Sequence, residues 1–128
     1  MRVEIKKYNL SPCYIYTQIY NESQSGSYCA YIRGKRCTTE MQFFYEISAS
    51  MQFPYYFGEN WAALDECLCD LEWICFKRIF VVIDDFSCLF SAEVKQEIMR
   101  EEYLMKCLDE MVKYWESEGV SVEVWLNN

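Results

Sequence analysis

The residues of this chain that could do chemistry together are acids concentrated in one short stretch. Between residues 59 and 72 there is no lysine or arginine, and there are five carboxylates: Glu59, Asp65, Glu66, Asp70 and Glu72. Carboxylates accept charge-assisted hydrogen bonds from guanidinium and ammonium groups, so the stretch favours a basic partner. The whole chain, with a formal net charge of −8, is expected to repel nucleic acid and anionic membranes.

On a helical projection this stretch has an apolar side and an acidic side. Leucines occupy the apolar side, and the opposite side contains three acids within about 40° of one another: Glu59, Glu66 and Asp70, flanked by Asp65 and Glu72. An acidic stripe is ordinarily a solvated helix face. Like charges four residues apart destabilise a helix by about 0.2–0.5 kcal/mol per pair, whereas a lysine would stabilise it. We therefore interpret the stripe as a surface kept for a partner.

Three consecutive aromatic residues, Tyr55, Tyr56 and Phe57, precede the acidic stretch. Exposed tyrosine beside charge is a common anchor of protein interfaces. The ordinary alternative is core packing, which we expect for one or two of the three.

The chain lacks the groups that most catalytic sites need. It has no histidine and only four isolated glycines, which excludes Ser-His-Asp, Cys-His and glycine-rich phosphate-binding sites. The adjacent acids Asp84 and Asp85 point to different faces and are expected to play a structural part. No pair of the eight cysteines has C-x-x-C spacing, so we expect the cysteines to be small buried hydrophobic residues and not metal ligands. We therefore predict that the protein is not an enzyme and that it binds no metal and no cofactor.

Strands are predicted from apolar runs at residues 28–32, 79–83 and 120–126. The middle run is continuous, which is typical of a strand buried on both faces. The order of strands and helices predicts an α/β fold, with a small three-stranded parallel sheet and helices packed on it.

Four helical patterns accompany these strands. The first helix is capped by Thr38 or Thr39 and ends at residues 53–54. Its apolar positions are Met41, Phe44, Tyr45, Ile47, Ser48 and Met51. The second begins at Glu59 and contains the acidic stripe, and the others cover residues 92–99 and about 103–118.

Residues 1–26 are predicted to be an N-terminal extension to a domain over residues 27–128. Alternation of apolar and polar residues over 13–20 makes this segment a candidate strand, which would widen the sheet or pair with another chain. The N-terminus lacks the features of a secretory leader, and no eighteen apolar residues run together. We expect a cytoplasmic protein.

Residues 53–68 carry a more specific signal. Their sequence, FPYYFGENWAALDECL, closely resembles the signature of the barstar family, in which proline, aromatics, Gly-Glu-Asn, Ala-Leu, an acid, cysteine and leucine recur in this order. The strand at 28–32 and the C-terminal residues 116–126 also resemble the family. The resemblance covers about residues 27–128, with an insertion between residues 84 and 103.

The resemblance implies the barstar fold and inhibition of a small secreted or toxin ribonuclease of the barnase type. The inhibitor would block the basic active site of the enzyme with its acidic helix and aromatic loop. Tyr56, Asn60 and Glu66 occupy the family's partner-facing positions. The predicted partner surface also includes their neighbours Tyr55, Gly58, Glu59, Ala62, Asp65, Cys69 and Asp70.

Four positions depart from the family pattern. Ala62 stands where the family has a second contacting aspartate, Asp65 replaces a tryptophan, Asp70 a glycine and Tyr114 an acid. Either Asp65 or Asp70 could supply the acid that is lost at Ala62. The alternative function is a barstar-fold binding or immunity module for a different basic toxin or a non-nuclease partner. A carboxylate-dependent enzyme is a third hypothesis.

Overall fold

The computed structural model of the chain describes residues 5–8, 27–74 and 77–127. In these ranges the strands are β1, Ile5–Tyr8; β2, Ser27–Arg33; β3, Arg78–Asp84; and β4, Ser121–Asn127. The helices are α1, Glu40–Met51; α2, Trp61–Leu68; and α3, Glu97–Ser117. Short 3-10 turns lie between them at Gly34–Arg36, Phe86–Cys88 and Val94–Gln96.

The described strands form one parallel sheet in the order β1-β4-β3-β2. Val81 of β3 pairs with Ala30 of β2 on one side and with Val124 of β4 on the other. Helices α1 and α2 connect β2 to β3, and α3 connects β3 to β4. The predicted α/β fold and its three parallel strands are confirmed, and β1 adds a strand beside β4. The candidate strand at residues 13–20 lies outside the described residues.

Helix α1 begins with a capping box. Thr39 Oγ1 accepts a hydrogen bond from the Gln42 backbone N–H at 3.2 Å, and Gln42 Oε1 accepts one from the Thr39 N–H at 3.3 Å. Of the two predicted caps, Thr39 is therefore the one used. Its side chain and that of Gln42 each accept a hydrogen bond from the other residue's backbone N–H, which would otherwise be free at the helix start. The helix ends at Met51, where Gln52 adopts a left-handed conformation with φ of 55°.

The buried side of α1 differs in part from the prediction. Met41 and Tyr45 are exposed, although their spacing had placed them on the apolar side. The residues that face the sheet form a narrower stripe: Phe43, Phe44, Ile47 and Met51. Apolar character at helical spacing therefore indicated the helix correctly but overestimated the width of its buried stripe.

Helix α3 is continuous from Glu97 to Ser117, so the prediction of separate helices over 92–99 and 103–118 is wrong. The residues between the two patterns are charged but include no glycine or proline that would break a helix. Arg100 is held there by two acids, with Nε 2.7 Å from Glu40 Oε2 and a guanidinium nitrogen 3.1 Å from Glu93 Oε2. Gly119, with φ of 82°, follows the helix end as predicted.

The sheet carries a buried cluster on each face. On the first face, side chains of β2, β3 and β4 pack with all three helices in the main core, which includes Ala30, Ile32, Phe44, Leu64, Val81, Ile83, Leu108 and Val124. On the second face, Phe80, Val82 and Trp125 form a smaller cluster with Cys29 and Tyr31. Strand β3 is thus buried on both faces, as its apolar run predicted.

Candidate functional site

The loop between α1 and α2 is shaped by Asn60, which caps α2. Its side-chain oxygen accepts a hydrogen bond from the Ala63 N–H at 2.8 Å, and its amide nitrogen donates to the Gly58 carbonyl at 3.0 Å. Glu59 adopts a left-handed conformation with φ of 52°, which turns the chain sharply before the helix. The Gly58-Glu59-Asn60 run therefore fixes how the aromatic loop enters α2.

The aromatic residues before this turn divide between surface and core. Phe57 packs on Phe44 and Phe53, with ring centroids 6.1 and 4.9 Å away. Tyr55 is fully exposed and Tyr56 is 57% exposed, and their rings lie 6.0 Å apart. One of the three aromatics therefore anchors the loop to the core, and the two tyrosines form its outer surface.

Tyr56 also connects the loop to the far end of α2. Its hydroxyl donates a hydrogen bond to Asp70 Oδ2 at 3.2 Å. Partial desolvation, followed by the hydrogen bond and charge of Asp70, raises the pKa of Tyr56. The hydroxyl therefore remains protonated and keeps its role as a donor at neutral pH.

Helix α2 is shorter than predicted, and this changes the acidic stripe. The helix ends at Leu68, whose carbonyl accepts a hydrogen bond from Trp115 Nε1 of α3 at 2.7 Å. Glu59 precedes the helix and Asp70 lies in the turn after it. The predicted single helical stripe of Glu59, Glu66 and Asp70 is therefore wrong, since Glu66 alone of these three lies on the helix.

The predicted partner residues differ in their exposure. Asp65, Cys69 and Asp70 are half-buried. The others are exposed along the loop and the outer side of α2: Tyr55, Tyr56, Gly58, Glu59, Asn60, Ala62 and Glu66. Ala62 and Glu66 are four residues apart, so they are neighbours on one helix side. The structure thus presents most of the predicted surface to solvent, with tyrosines at one end and Glu66 on the helix.

Asp65 is turned toward α3. Its Oδ1 atom is buried and has no hydrogen-bond partner among the described residues. Its carboxyl raises the pKa of Glu110 on α3 through a hydrogen bond and through charge, together with burial. Burial, followed by the charge of Asp65, raises the pKa of Cys69 to about 11 and that of Cys107 to about 12. Asp65 therefore belongs to a protonation-sensitive contact between α2 and α3.

Trp61, at the start of α2, positions the site and was not identified from the sequence. The centroid of its ring lies 5.1 Å from that of Phe44 and 5.8 Å from that of Tyr103. Its Nε1 donates to Glu40 Oε2 at 3.2 Å, the same oxygen that binds Arg100. The beginnings of all three helices therefore meet at this residue. Its place directly after the capping asparagine was the signal available in the sequence.

The acid Asp84 at the end of β3 has a structural environment. It is buried and accepts hydrogen bonds from the Tyr31 hydroxyl at 2.8 Å and from Asn127 Nδ2 at 2.6 Å. Its backbone oxygen, with that of Asp85, lies so close to Gly34 that a Cβ there would come within 2.3 Å of it. These contacts support the structural interpretation of the acid pair and explain why a glycine follows β2.

The described part of the chain offers no metal site or membrane span. Within residues 5–8, 27–74 and 77–127, no group of acids and cysteines could hold a metal ion. None of the helices found there is long and apolar enough to cross a membrane. The cysteines in these ranges, Cys29, Cys37, Cys67, Cys69, Cys88 and Cys107, are free thiols.

Comparison with known proteins gives one match. The family model described as Barstar (barnase inhibitor) matches residues 28–127. The matched region includes most of β2, the three helices, β3 and all of β4, and therefore the whole loop and helix described above. No curated protein matches the chain.

Proposed function

Because the chain belongs to the barstar family of ribonuclease inhibitors, we propose that its own activity is to inhibit a small basic ribonuclease. The family is one of inhibitors and not of enzymes. The observation that carries the proposal is the surface formed by the loop and α2, which presents exposed tyrosines and exposed acids: Tyr55, Tyr56, Glu59 and Glu66. No basic residue interrupts the sequence from residue 59 to residue 72.

The mechanism follows from the charge of the enzyme's substrate. A ribonuclease binds RNA phosphates through lysine and arginine, and carboxylates at comparable positions on an inhibitor can occupy the same groups. Clustered negative charge also speeds the encounter with a basic protein, an effect that salt weakens because the Debye length is about 8 Å at physiological ionic strength. In this proposal Glu66 binds an arginine of the active site.

Tyr56 supplies an aromatic ring that is held in place by Asp70 on the same surface of loop and helix. Its bond to Asp70 restrains the ring before the partner arrives, so less side-chain freedom is lost on binding. Asn60 contributes by fixing the loop that carries both tyrosines.

Asp70 is the better candidate to replace the acid missing at Ala62. Asp65 directs a buried carboxylate oxygen toward α3, whereas Asp70 lies on the loop side of the site and touches Tyr56. A partner arginine that approaches Glu66 and Tyr56 would therefore find Asp70 within the same surface. Cys69, beside Asp70, is a half-buried neighbour whose raised pKa keeps it a neutral thiol.

The test is residual RNA cleavage by barnase-type ribonucleases, including any encoded beside this protein, after mixing with the purified full chain. Glu66→Gln is compared with Glu118→Gln, which removes one exposed acid from the end of α3. The proposal expects inhibition by the unchanged protein, weaker inhibition at higher salt, and a loss specific to Glu66→Gln. Equal behaviour of the two variants would contradict it.

The second candidate is a binding or immunity module for another basic toxin or a non-nuclease partner. Its supporting observation is the replacement of family contact positions by Ala62, Asp70 and Tyr114. It predicts that no ribonuclease of the panel is inhibited, while a different basic protein binds in a manner that depends on Glu66. In either case we propose a cytoplasmic protein with its inhibitor domain at residues 27–128.

A further inference from the structure

A small polar network joins the start of α2 to the starts of the other two helices. Glu40 is the first residue of α1, and its Oε2 atom accepts hydrogen bonds from Trp61 Nε1 at 3.2 Å and from Arg100 Nε at 2.7 Å. Trp61 is the first residue of α2, and Arg100 is the fourth residue of α3. A single carboxylate oxygen therefore connects all three helices.

Arg100 holds this carboxylate in place. Its guanidinium also lies 3.1 Å from Glu93 Oε2, and the other oxygen of Glu93 accepts a hydrogen bond from the Glu40 backbone N–H. The two acids are therefore neighbours that share one cation, and without it their like charges would repel. The Arg100 side chain is only 14% exposed, so water and salt screen these ion pairs less than they screen pairs at the surface.

The indole of Trp61 packs against aromatic rings from several elements. Its ring centroid lies 5.9 Å from that of Phe43, 5.1 Å from that of Phe44, 6.0 Å from that of Phe90 and 5.8 Å from that of Tyr103. Apolar packing of this kind has little directional preference, whereas a hydrogen bond does. The N–H bond of the indole is therefore the contact that selects its orientation among the rings.

The orientation of this indole bears on the partner surface. Asn60 and Ala62 stand directly before and after Trp61 and belong to the predicted surface, and Glu66 lies further along the same helix. Because α2 is only eight residues long, about two turns, a rotation at its first residue also moves Glu66. Side chains that touch no partner can change binding in this way.

We propose that the ion pair of Glu40 and Arg100 positions the partner surface, and that it acts through the indole of Trp61. The three residues are positioning residues. The ion pair fixes the indole, and the indole fixes the direction in which α2 presents Glu66. This inference rests on the proposed function and adds the residues that hold the surface ready before the partner arrives. Such preorganisation reduces the freedom that is lost on binding, so its removal should weaken affinity.

Arg100→Met tests the proposal, because it removes the guanidinium and keeps a long side chain. Arg33→Met is the matched control, since the Arg33 guanidinium binds both oxygens of Glu46 at 2.7 and 2.8 Å, in an ion pair that joins β2 to α1. Both variants are compared at a temperature where urea denaturation shows them folded. Arg100→Met should raise the dissociation constant for an inhibited barnase-type ribonuclease at least about threefold, and Arg33→Met should leave it within about twofold.

A double-mutant cycle distinguishes positioning from a general loss of stability. Trp61→Phe keeps an aromatic ring and removes the N–H through which Arg100 is proposed to act. Arg100→Met should therefore add little to the loss of affinity that Trp61→Phe causes alone, and fully additive losses would contradict the route through the indole. Arg100→Lys, which keeps the charge, should recover part of the affinity that Arg100→Met loses.

Amide hydrogen exchange tests the same connection without a partner. The N–H groups of Ala63 and Leu64 bond to Asn60 at the start of α2, and they should exchange faster in Arg100→Met but not in Arg33→Met. Equal exchange in the two variants would overturn the inference.

The failure of this inference can be distinguished from the failure of the proposed function. If Glu66→Gln loses affinity and Arg100→Met does not, the positioning role is overturned and the proposed function stands. If no ribonuclease is bound by the unchanged protein, the proposed function fails, and the exchange rates alone decide whether the ion pair positions α2.

Discussion

The Tyr56 hydroxyl donates a hydrogen bond to Asp70 Oδ2 across 3.2 Å, and this bond joins the loop before α2 to the turn after it. The two residues are fourteen positions apart in sequence. Because α2 has only eight residues, the bond connects both ends of the element that carries Glu66. The bond therefore holds Tyr56 and Asp70 together in one surface.

Tyr56→Phe is expected to weaken inhibition while leaving the fold intact. The substitution keeps the ring and removes the donor, so the ring is no longer restrained before binding. Inhibition of a barnase-type ribonuclease and the urea unfolding midpoint are measured together. Tyr45→Phe is the control, since it removes a hydroxyl from a tyrosine of α1 that is also 57% exposed and lies outside the proposed partner surface. A Tyr56→Phe protein that inhibits as well as the control would show that the bond has no part in binding.

Trp115→Phe is expected to destabilise the protein by about 1–3 kcal/mol, because the Leu68 carbonyl loses its donor. Trp73→Phe is a matched control, since Trp73 Nε1 donates in the same way to the Met51 carbonyl at the end of α1. Both variants should lose stability in urea denaturation. At a temperature where both are folded, only Trp115→Phe should also weaken inhibition, since only it releases the end of α2. Equal inhibition by the two would contradict this role.

Asp84→Ala is expected to lower the free energy of unfolding by about 1.5–3 kcal/mol without changing inhibition by the folded protein. It removes the buried acceptor of the bonds from Tyr31 and Asn127, and hydrogen bonds to charged groups contribute about that amount. Chemical denaturation and the cleavage assay separate the two effects. Loss of inhibition at unchanged stability would instead support the hypothesis of a functional acid at this end of the sheet.

The raised pKa of Glu110 predicts how the stability of the protein depends on pH. Its pKa in the folded protein is raised above the usual 4.5, first by its hydrogen bond to Asp65, then by burial and the charge of Asp65. Lys106 acts in the opposite direction and Asp109 in the same one. The folded state therefore holds this proton more tightly than the unfolded state, and stability falls as pH rises from about 4.5 through the raised pKa.

Glu110→Gln should remove that contribution. The variant is expected to be more stable than the unchanged protein at pH 7 and to lose less stability between acid and neutral pH. Urea unfolding at several pH values measures both. Glu116→Gln, at an exposed acid of the same helix, is the control and should not reproduce the gain. The same pH slope in Glu110→Gln and in the unchanged protein would contradict the assignment.

The sequence predicted those elements whose signals are local. The continuous run of β3, the cap at Thr38 or Thr39 and the turn at Gly119 depend on neighbouring residues. The structure confirms the first and the last, and it selects Thr39 as the cap. The extent of α2 depends on a distant residue, because Trp115, forty-seven positions away, binds the carbonyl at its end. Arg100 of α3 likewise binds two acids, Glu40 and Glu93, that lie outside the helix.

In the candidate site, too, features set by neighbouring residues were predicted and features set by distant residues were not. Core packing and interface chemistry predicted that one or two of the three aromatics would pack on the core and that tyrosine would be exposed. The structure has Phe57 partly buried against the core and both tyrosines exposed. The sequence did not predict that Asp65 turns toward Glu110, because the projection of one helix contains no information about the helix packed against it. Trp61 was missed for a related reason, because its neighbours come from α1 and α3.

The central claim is that the loop and α2 form the partner surface, and the most direct test is the dissociation constant with an inhibited ribonuclease. We would measure it by calorimetry for the unchanged protein, Glu66→Gln and Glu118→Gln. The account predicts that Glu66→Gln raises the dissociation constant at least about tenfold, equivalent to about 1.4 kcal/mol, while Glu118→Gln leaves it within about twofold. An unchanged constant for Glu66→Gln would contradict the account and place the partner elsewhere on the protein.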